Sequence, residues 1–337
     1  MAGISTPAMA AAVSNAGGLG SIGVGNVDAE RARVQITALR ALTQRPFNVN
    51  LFCHVPAIPD PHNDAEWIKF LTPRFQKFGK PVPGQLKEIY TSFVADDAML
   101  AMLLQERPPV VSFHFGLPSA ERIKALHAAG IVLLATATNL DEGRTIAAAG
   151  IDAIVAQGFE AGGHRGVFDP LAPDECLGTL ALTRLLARNL SCPIISAGGI
   201  MDGAGIAACL ALGASAAQLG TAFICCPEST ADTGFRNVLL SVAAEHTVMT
   251  TVISGRPARC IANQFTALGN EAKHLKIPDY PIAYDAGKAL NSAALAAGET
   301  GFGAQWVGQA APLARAMPAA LLVAELQFEM QQALTAR

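Results

Sequence analysis

The segment Glu160-Ala161-Gly162-Gly163-His164-Arg165-Gly166 follows directly on an apolar run, Ala153–Gly158, that ends in Gln157. Paired glycines let backbone N–H groups come close to a ligand, and a histidine just beyond them offers an accessible imidazole for holding an anion or moving a proton. A glycine-rich turn with a solvent-facing histidine has the same composition, so both readings stand at this level. Two later apolar runs end in Ser196-Ala197-Gly198-Gly199-Ile200 and Gln218-Leu219-Gly220-Thr221. Loops of this kind, in order after the last two strands of a parallel barrel, receive a phosphate on their backbone amides and a nearby helix N-terminus. Tyr280, Tyr284 and Lys288 recur every four residues. On one helix they would share a face and present two hydroxyls and an ammonium to an anion, although an amphipathic surface helix reads the same way.

Other chemistries find little support. His54 and His62 stand near Asp60 and Asp64 without a recognisable ligand spacing, so no metal site is expected. No G-x-S-x-G elbow is present for a serine hydrolase.

These residues need strands to place them. Short β-branched or apolar runs at Gly20–Gly23, Phe47–Phe52, Val110–Phe115, Val132–Thr138, Ala153–Gly158, Pro193–Gly199 and Ala216–Ile224 alternate with helical stretches, including Pro7–Asn15, Ala120–Ala129, Asp141–Ala149, Leu177–Asn189 and Gly203–Leu212. This is the pattern of parallel strands joined by helices. Sites in such folds lie at the carboxyl ends of the strands. Period-two alternation puts Asn48 and Asn50 on one face with Asn50 near the mouth, and groups Ser112 with His114 opposite Phe113 and Phe115. Seven βα units are one short of a closed (β/α)8 barrel, and the opening helix has no strand ahead of it, so the expected fold is an α/β TIM-type barrel apparently lacking its first strand. From residue 228 the alternation stops, which gives a barrel over 1–227 and a helical C-terminal cap over 228–337. The long gap from Cys53 to Pro109 holds a Pro-rich stretch and a helix near Ala95–Gln105, and is either an active-site excursion or a surface loop.

The composition bounds the partners. The 337 residues are 51% apolar and 15% charged, enough for a large core, with a net charge of −3 and no basic run to draw nucleic acid or an anionic membrane. The first 27 residues lack the basic start of a secretory signal, and the uncharged run between Asp202 and Glu228 carries four glycines and divides into a helix-like and a strand-like half rather than a membrane span. Seven cysteines, an odd number with no C-x-x-C, fit a reduced cytoplasmic protein whose partner is a small molecule.

Taken together, Val13-Ser14-Asn15-Ala16-Gly17-Gly18-Leu19-Gly20, Pro46-Phe47-Asn48-Val49-Asn50-Leu51, Ser112-Phe113-His114-Phe115-Gly116, Glu160–Gly166 and the two phosphate loops resemble the nitronate monooxygenase family, formerly 2-nitropropane dioxygenases, over nearly the whole chain. The resemblance implies an FMN-binding barrel that oxidises alkyl nitronates with O2 to a carbonyl compound and nitrite or nitrate, and is nearest the bacterial branch acting on propionate 3-nitronate. It implies that Asn50 and Gln157 meet the flavin ring, that Gly162, Gly163, Gly198, Gly199, Gln218, Gly220 and Thr221 surround the ribityl phosphate, that His164 and His114 face the nitronate, and that Tyr280, Tyr284 and Lys288 hold its far carboxylate. Family members have a strand of the type Pro-Ile-Ile-Gln-Ala-Pro ahead of the Met-Ala-Gly found here, so the expectation is an upstream start or a shortened paralogue. A sister group, the FMN-dependent enoyl-ACP reductases, shares the His loop and phosphate loops. An NAD(P)H-dependent FMN reductase of enoyl-ACP or quinone type is therefore the alternative enzyme, and a non-catalytic flavin-binding barrel the alternative outside enzymes.

Overall fold

The computed structural model describes residues 1–335. Its strands are β1 (Gly20–Gly23), β2 (Phe47–Phe52), β3 (Val110–His114), β4 (Val132–Ala137), β5 (Ala153–Gln157), β6 (Gly163–His164), β7 (Ile194–Ala197), β8 (Ala216–Gln218), β9 (Thr247–Thr250) and β10 (Ala258–Ile261). Seven of them form a parallel sheet in the order β1-β2-β3-β4-β5-β7-β8, with β1 and β8 at its edges. Val49, Leu51, Val111, Phe113, Leu133 and Ile154 face the surrounding helices in the largest core cluster. On the opposite face Val110, Leu134, Ala153, Val155 and Ala197, from four different strands, pack on one another. The sheet is curled into a half-barrel with helices around it, a TIM-type architecture.

The connecting helices begin where side chains can satisfy their free amides. Asp28, Ser119, Asn139 and Asp202 each accept from the third amide of the helix that follows. The uncharged run after Asp202 becomes the helix Gly203–Ala211 and then β8.

Four expectations need correction. The apolar run from Ala216 does not continue as a strand to Ile224: β8 ends at Gln218, and Thr221–Phe223 coil into a 3-10 turn. Ala222 and Phe223 bury against the C-terminal helix Ala319–Thr335, a choice that apolar character alone does not make. The segment after residue 228 is not purely helical, since β9 and β10 form an antiparallel sheet with β6. The gap from Cys53 to Pro109 contains a 17-residue helix, Pro61–Lys77, besides the helix Asp97–Glu106. Trp67, Leu71 and Phe75 of the former pack with Phe265, Leu290 and Phe302, so the cap core is assembled from two distant parts of the chain. Finally, Tyr280 lies outside the helix that carries Tyr284 and Lys288, which runs Ile282–Ala296 with Pro281 at its cap. The residue before a proline is driven out of the helical region, and this separates Tyr280 from the four-residue repeat.

Candidate active site

The polar residues predicted at the strand ends converge on one mouth. Asn50 at the top of β2 donates to the Ser112 hydroxyl of β3 over 2.8 Å, and Asn48 bridges Ser21 and Ser112 at 2.9 and 2.8 Å one layer deeper. Gln157 ends β5 and spends both ends of its amide on the following loop: Nε2 donates to the His164 carbonyl at 3.0 Å, and Oε1 accepts from the Gly166 amide at 2.7 Å. Buried Arg165 donates to the Gln157 carbonyl at 2.8 Å and pairs with both carboxylate oxygens of Asp174. The His164 loop is thus held from below by β5 and from the side by β10, where His164 pairs with Ala258.

The two candidate histidines occupy different positions in this network. His114 Nε2 lies 3.2 Å from the His164 carbonyl, which can only accept, so Nε2 carries the proton and Nδ1 accepts from Thr136 Oγ1 at 3.1 Å. Both nitrogens of His114 are engaged within the protein. His164 Nε2 lies 2.9 Å from Ser254 Oγ, whose own proton goes to the Arg256 carbonyl. Nε2 must then be the donor, which leaves Nδ1 of His164 unprotonated, with no partner among the described residues. Burial pushes His164 down to about 3, with His114, Arg256 and His54 reinforcing the shift, and burial likewise brings His114 to about 4. At neutral pH His164 is a neutral imidazole with a free lone pair.

Aromatic rings enclose it. Tyr280, Trp306, Phe115 and Tyr284 have centroids 5.2, 5.2, 5.7 and 6.0 Å from the His164 ring. Phe115 departs from the sequence-based alternation: its φ of +76° turns the chain just past β3 and swings the ring into the site, where the Arg256 guanidinium stacks on it at 4.4 Å. Tyr284 OH accepts from Trp306 Nε1 at 3.2 Å and keeps its own proton to donate. Tyr280 is buried and its hydroxyl has no partner among the described residues; beside it, edge-on at 5.0 Å, is His54, fully buried with neither ring nitrogen hydrogen-bonded to any described residue. Lys288 places its ammonium 4.9 Å from the Tyr90 centroid and 5.5 Å from that of Tyr284. His62, by contrast, is on the helix Pro61–Lys77 at the surface.

The glycine loops form a separate cradle at the ends of β7 and β8. Gly198 and Gly199 have φ of +118° and +68°, and a Cβ on Gly198 would stand 2.9 Å from Thr179 Oγ1 and 3.0 Å from the Ala161 amide nitrogen. The amides of Gly199, Gly220 and Thr221 donate to no acceptor among the described residues. Three free amides around a turn that excludes side chains fit the phosphate of a flavin mononucleotide. Gly162 and Gly163 serve this region indirectly: a Cβ on Gly162 would lie 2.4 Å from the Gly308 amide nitrogen, and Gly163 faces Trp306. Gly308 in turn donates to Thr221 Oγ1 at 3.0 Å. Gln218 closes β8 below Gly220.

Sequence reading passed over Ser254, Arg256, Trp306, Gly308 and Tyr90, and took His54 only as a failed metal ligand. The run Ser254-Gly255-Arg256-Pro257-Ala258-Arg259, with two arginines set among glycine and proline, carried a visible signal; Tyr90 and Trp306 carried none.

Known proteins resemble this chain over nearly its whole length. The family model described as nitronate monooxygenase matches residues 1–329. A nitronate monooxygenase of Paraburkholderia phytofirmans is 61% identical over 334 residues, covering 99% of this chain and 91% of that protein. One from Pseudomonas aeruginosa is 53% identical over 331 residues, covering 98% and 94%. Among solved structures, a nitroalkane oxidase from Streptomyces ansochromogenes superposes with a TM-score of 0.90 at 38% identity over 99% of this chain and 94% of that one. FabK from Thermotoga maritima gives 0.77 at 28% identity over 100% and 92%.

Proposed function

We propose, from the premise that this chain belongs to the nitronate monooxygenase family, that it oxidises alkyl nitronates of the propionate 3-nitronate type with O2, giving the carbonyl compound and nitrite or nitrate. The observation that carries this reading is the free Nδ1 of a neutral His164, ringed by Tyr280 and Tyr284 with the Lys288 ammonium beyond them. Those groups suit an anion with a reactive nitro end and a carboxylate tail.

FMN would rest its phosphate on Gly198, Gly199, Gly220 and Thr221 with its ring toward Asn50 and Gln157, and when bound it supplies the acceptor for the substrate electrons and the reaction with oxygen. The protein's part is positioning and charge. The unpartnered Tyr280 hydroxyl and the free proton of Tyr284 can donate to nitronate oxygens, while Lys288 pairs with the tail carboxylate. A neutral nitroalkane gives its α-proton to His164 Nδ1, and the imidazolium stays paired with the anion it has made. The aromatic wall of Phe115, Tyr280 and Trp306 keeps water from these contacts. The residues from 228 onward act as a cap over the barrel, and the cytoplasm is the compartment we assign.

The likeness to FabK favours one second reading, an NAD(P)H-dependent FMN reductase. An aerobic assay of FMN-loaded protein with propionate 3-nitronate, run beside anaerobic flavin bleaching by NADPH, separates the two. Nitronate-dependent oxygen uptake without bleaching supports the first. Rapid bleaching with no oxygen uptake on nitronate replaces it with the second.

A further inference from the structure

A cavity of about 200 Å3 opens beside Tyr284, lined by residues from Asp232 to Gln305. The face of the helix Ile282–Ala296 that carries Tyr284, Lys288 and Asn291 forms one wall, and Asp232 and Gln305 stand in the others. Tyr284 borders both this cavity and the His164 site, since its ring also lies 6.0 Å from that of His164. The chamber holds several water volumes at about 30 Å3 each, enough for a small polar group of a few heavy atoms.

Its polar atoms are unevenly used. Asn291 Oδ1 is buried without a hydrogen-bond partner among the described residues. Gln305 is 5% exposed; its Oε1 accepts from Asn263 at 3.3 Å, and its amide nitrogen donates to no other described residue. Asp232, which is exposed, caps the helix Thr233–Leu239 through one carboxylate oxygen, and its other oxygen accepts from no described residue. Lys288 supplies one positive charge and Asp232 one negative charge. The wall thus offers two donors, Lys288 Nζ and Gln305 Nε2, and two acceptors, Asn291 Oδ1 and the free Asp232 oxygen. A buried acceptor left unmatched is costly, so a ligand that supplies a donor there gains what a plain carboxylate cannot.

We propose that this cavity is an outer subsite for the substrate tail and takes a 2-amino carboxylate, with the carboxylate on Lys288 and Gln305, the ammonium on Asn291 and Asp232, and Asn291 setting the preference. This rests on the reading that the tail of the nitronate reaches Lys288.

The test is calorimetric titration of FMN-loaded protein with 2-aminobutyrate and with butyrate, which differ only in the ammonium. The wild type should bind 2-aminobutyrate at least about tenfold more tightly. Asn291→Leu should bring the two within about threefold of each other, and the near-isosteric Asn291→Asp, which keeps the acceptor and adds a charge, should hold or widen the preference. Equal binding of both ligands by the wild type, or a preference that survives Asn291→Leu, overturns the proposal. Wild-type oxidation of ethyl nitronate is followed separately. Oxygen uptake on propionate 3-nitronate decides the assigned reaction and a loss there would overturn it, whatever the rate on ethyl nitronate, whereas the ligand preference is read without any turnover.

Discussion

The imidazole of His114 donates from Nε2 to the main-chain carbonyl of His164 across 3.2 Å, and the same carbonyl takes a second donor, Gln157 Nε2, at 3.0 Å. His114 therefore acts on the loop that carries His164 and positions it. His114→Phe removes one of two donors to a buried carbonyl and should lower kcat/KM on any nitronate by about 10- to 100-fold, through a displaced His164, with about 1–2 kcal/mol of stability lost. His114→Gln, which can restore a donor, should recover part of both. Equal losses in the two variants, measured by steady-state kinetics and thermal unfolding, would count against a positioning role.

His164 itself should show its effect most strongly where a proton must move. In His164→Asn, turnover of a neutral nitroalkane should fall about 10²- to 10⁴-fold, while a preformed nitronate loses about tenfold. Because His164 is held near 3, kcat/KM of the wild type for the neutral nitroalkane should stay level between pH 7 and pH 5, where an ordinary histidine would lose its base form. A drop by half near pH 6.5 would show that the site leaves His164 unshifted.

Lys288 is exposed enough for solvent to screen it, so its pairing with a carboxylate is worth less than a fully desolvated pair. Lys288→Met should reduce kcat/KM for propionate 3-nitronate by about 10- to 150-fold, corresponding to about 1.5–3 kcal/mol, and change ethyl nitronate by only a few-fold. A parallel loss on both substrates would assign Lys288 to the nitro end or to the fold.

Gly198→Ala places a methyl group against Thr179 and Ala161 at a φ of +118°. The turn should shift and release its hold on the flavin phosphate, so the purified variant should carry well under half the FMN of the wild type at matched protein concentration, measured by absorbance after acid release. Full occupancy would remove this loop from the cofactor site.

Stability should fall on acidification. Burial holds His54 and His114 near 4 and His164 near 3 in the folded chain, against about 6.5 when unfolded, so the unfolded state binds more protons in the window between. Stability is intact above about pH 6.5 and declines below it until the folded-state values are reached, with proton uptake on unfolding approaching three. His54→Phe should cut that uptake by about one, read from the pH dependence of denaturant midpoints. An unchanged uptake would mean that His54 is charged in the folded protein.

The amino-acid sequence by itself determined the parallel strands and most helix limits, because period-two and helical periodicity, cap residues and glycine stops act over a few neighbours: Pro7–Asn15 and Phe47–Phe52 fall where those patterns put them. It also marked Gly198, Gly199, Gly220 and Thr221, since backbone that must come close to a ligand has to omit its side chains. Tertiary structure decided the rest. Ser254 fixes the tautomer of His164 from 90 residues away, Phe78 meets Phe302 across most of the chain, and β10 lends an edge to β6, none of which has a local pattern. The side chosen by Phe115 depended on one positive φ, and the separate roles of His114 and His164 on which nitrogen each had left free. Residue type sets what a group can donate or accept, but only the folded neighbours settle which of those capacities remain unspent.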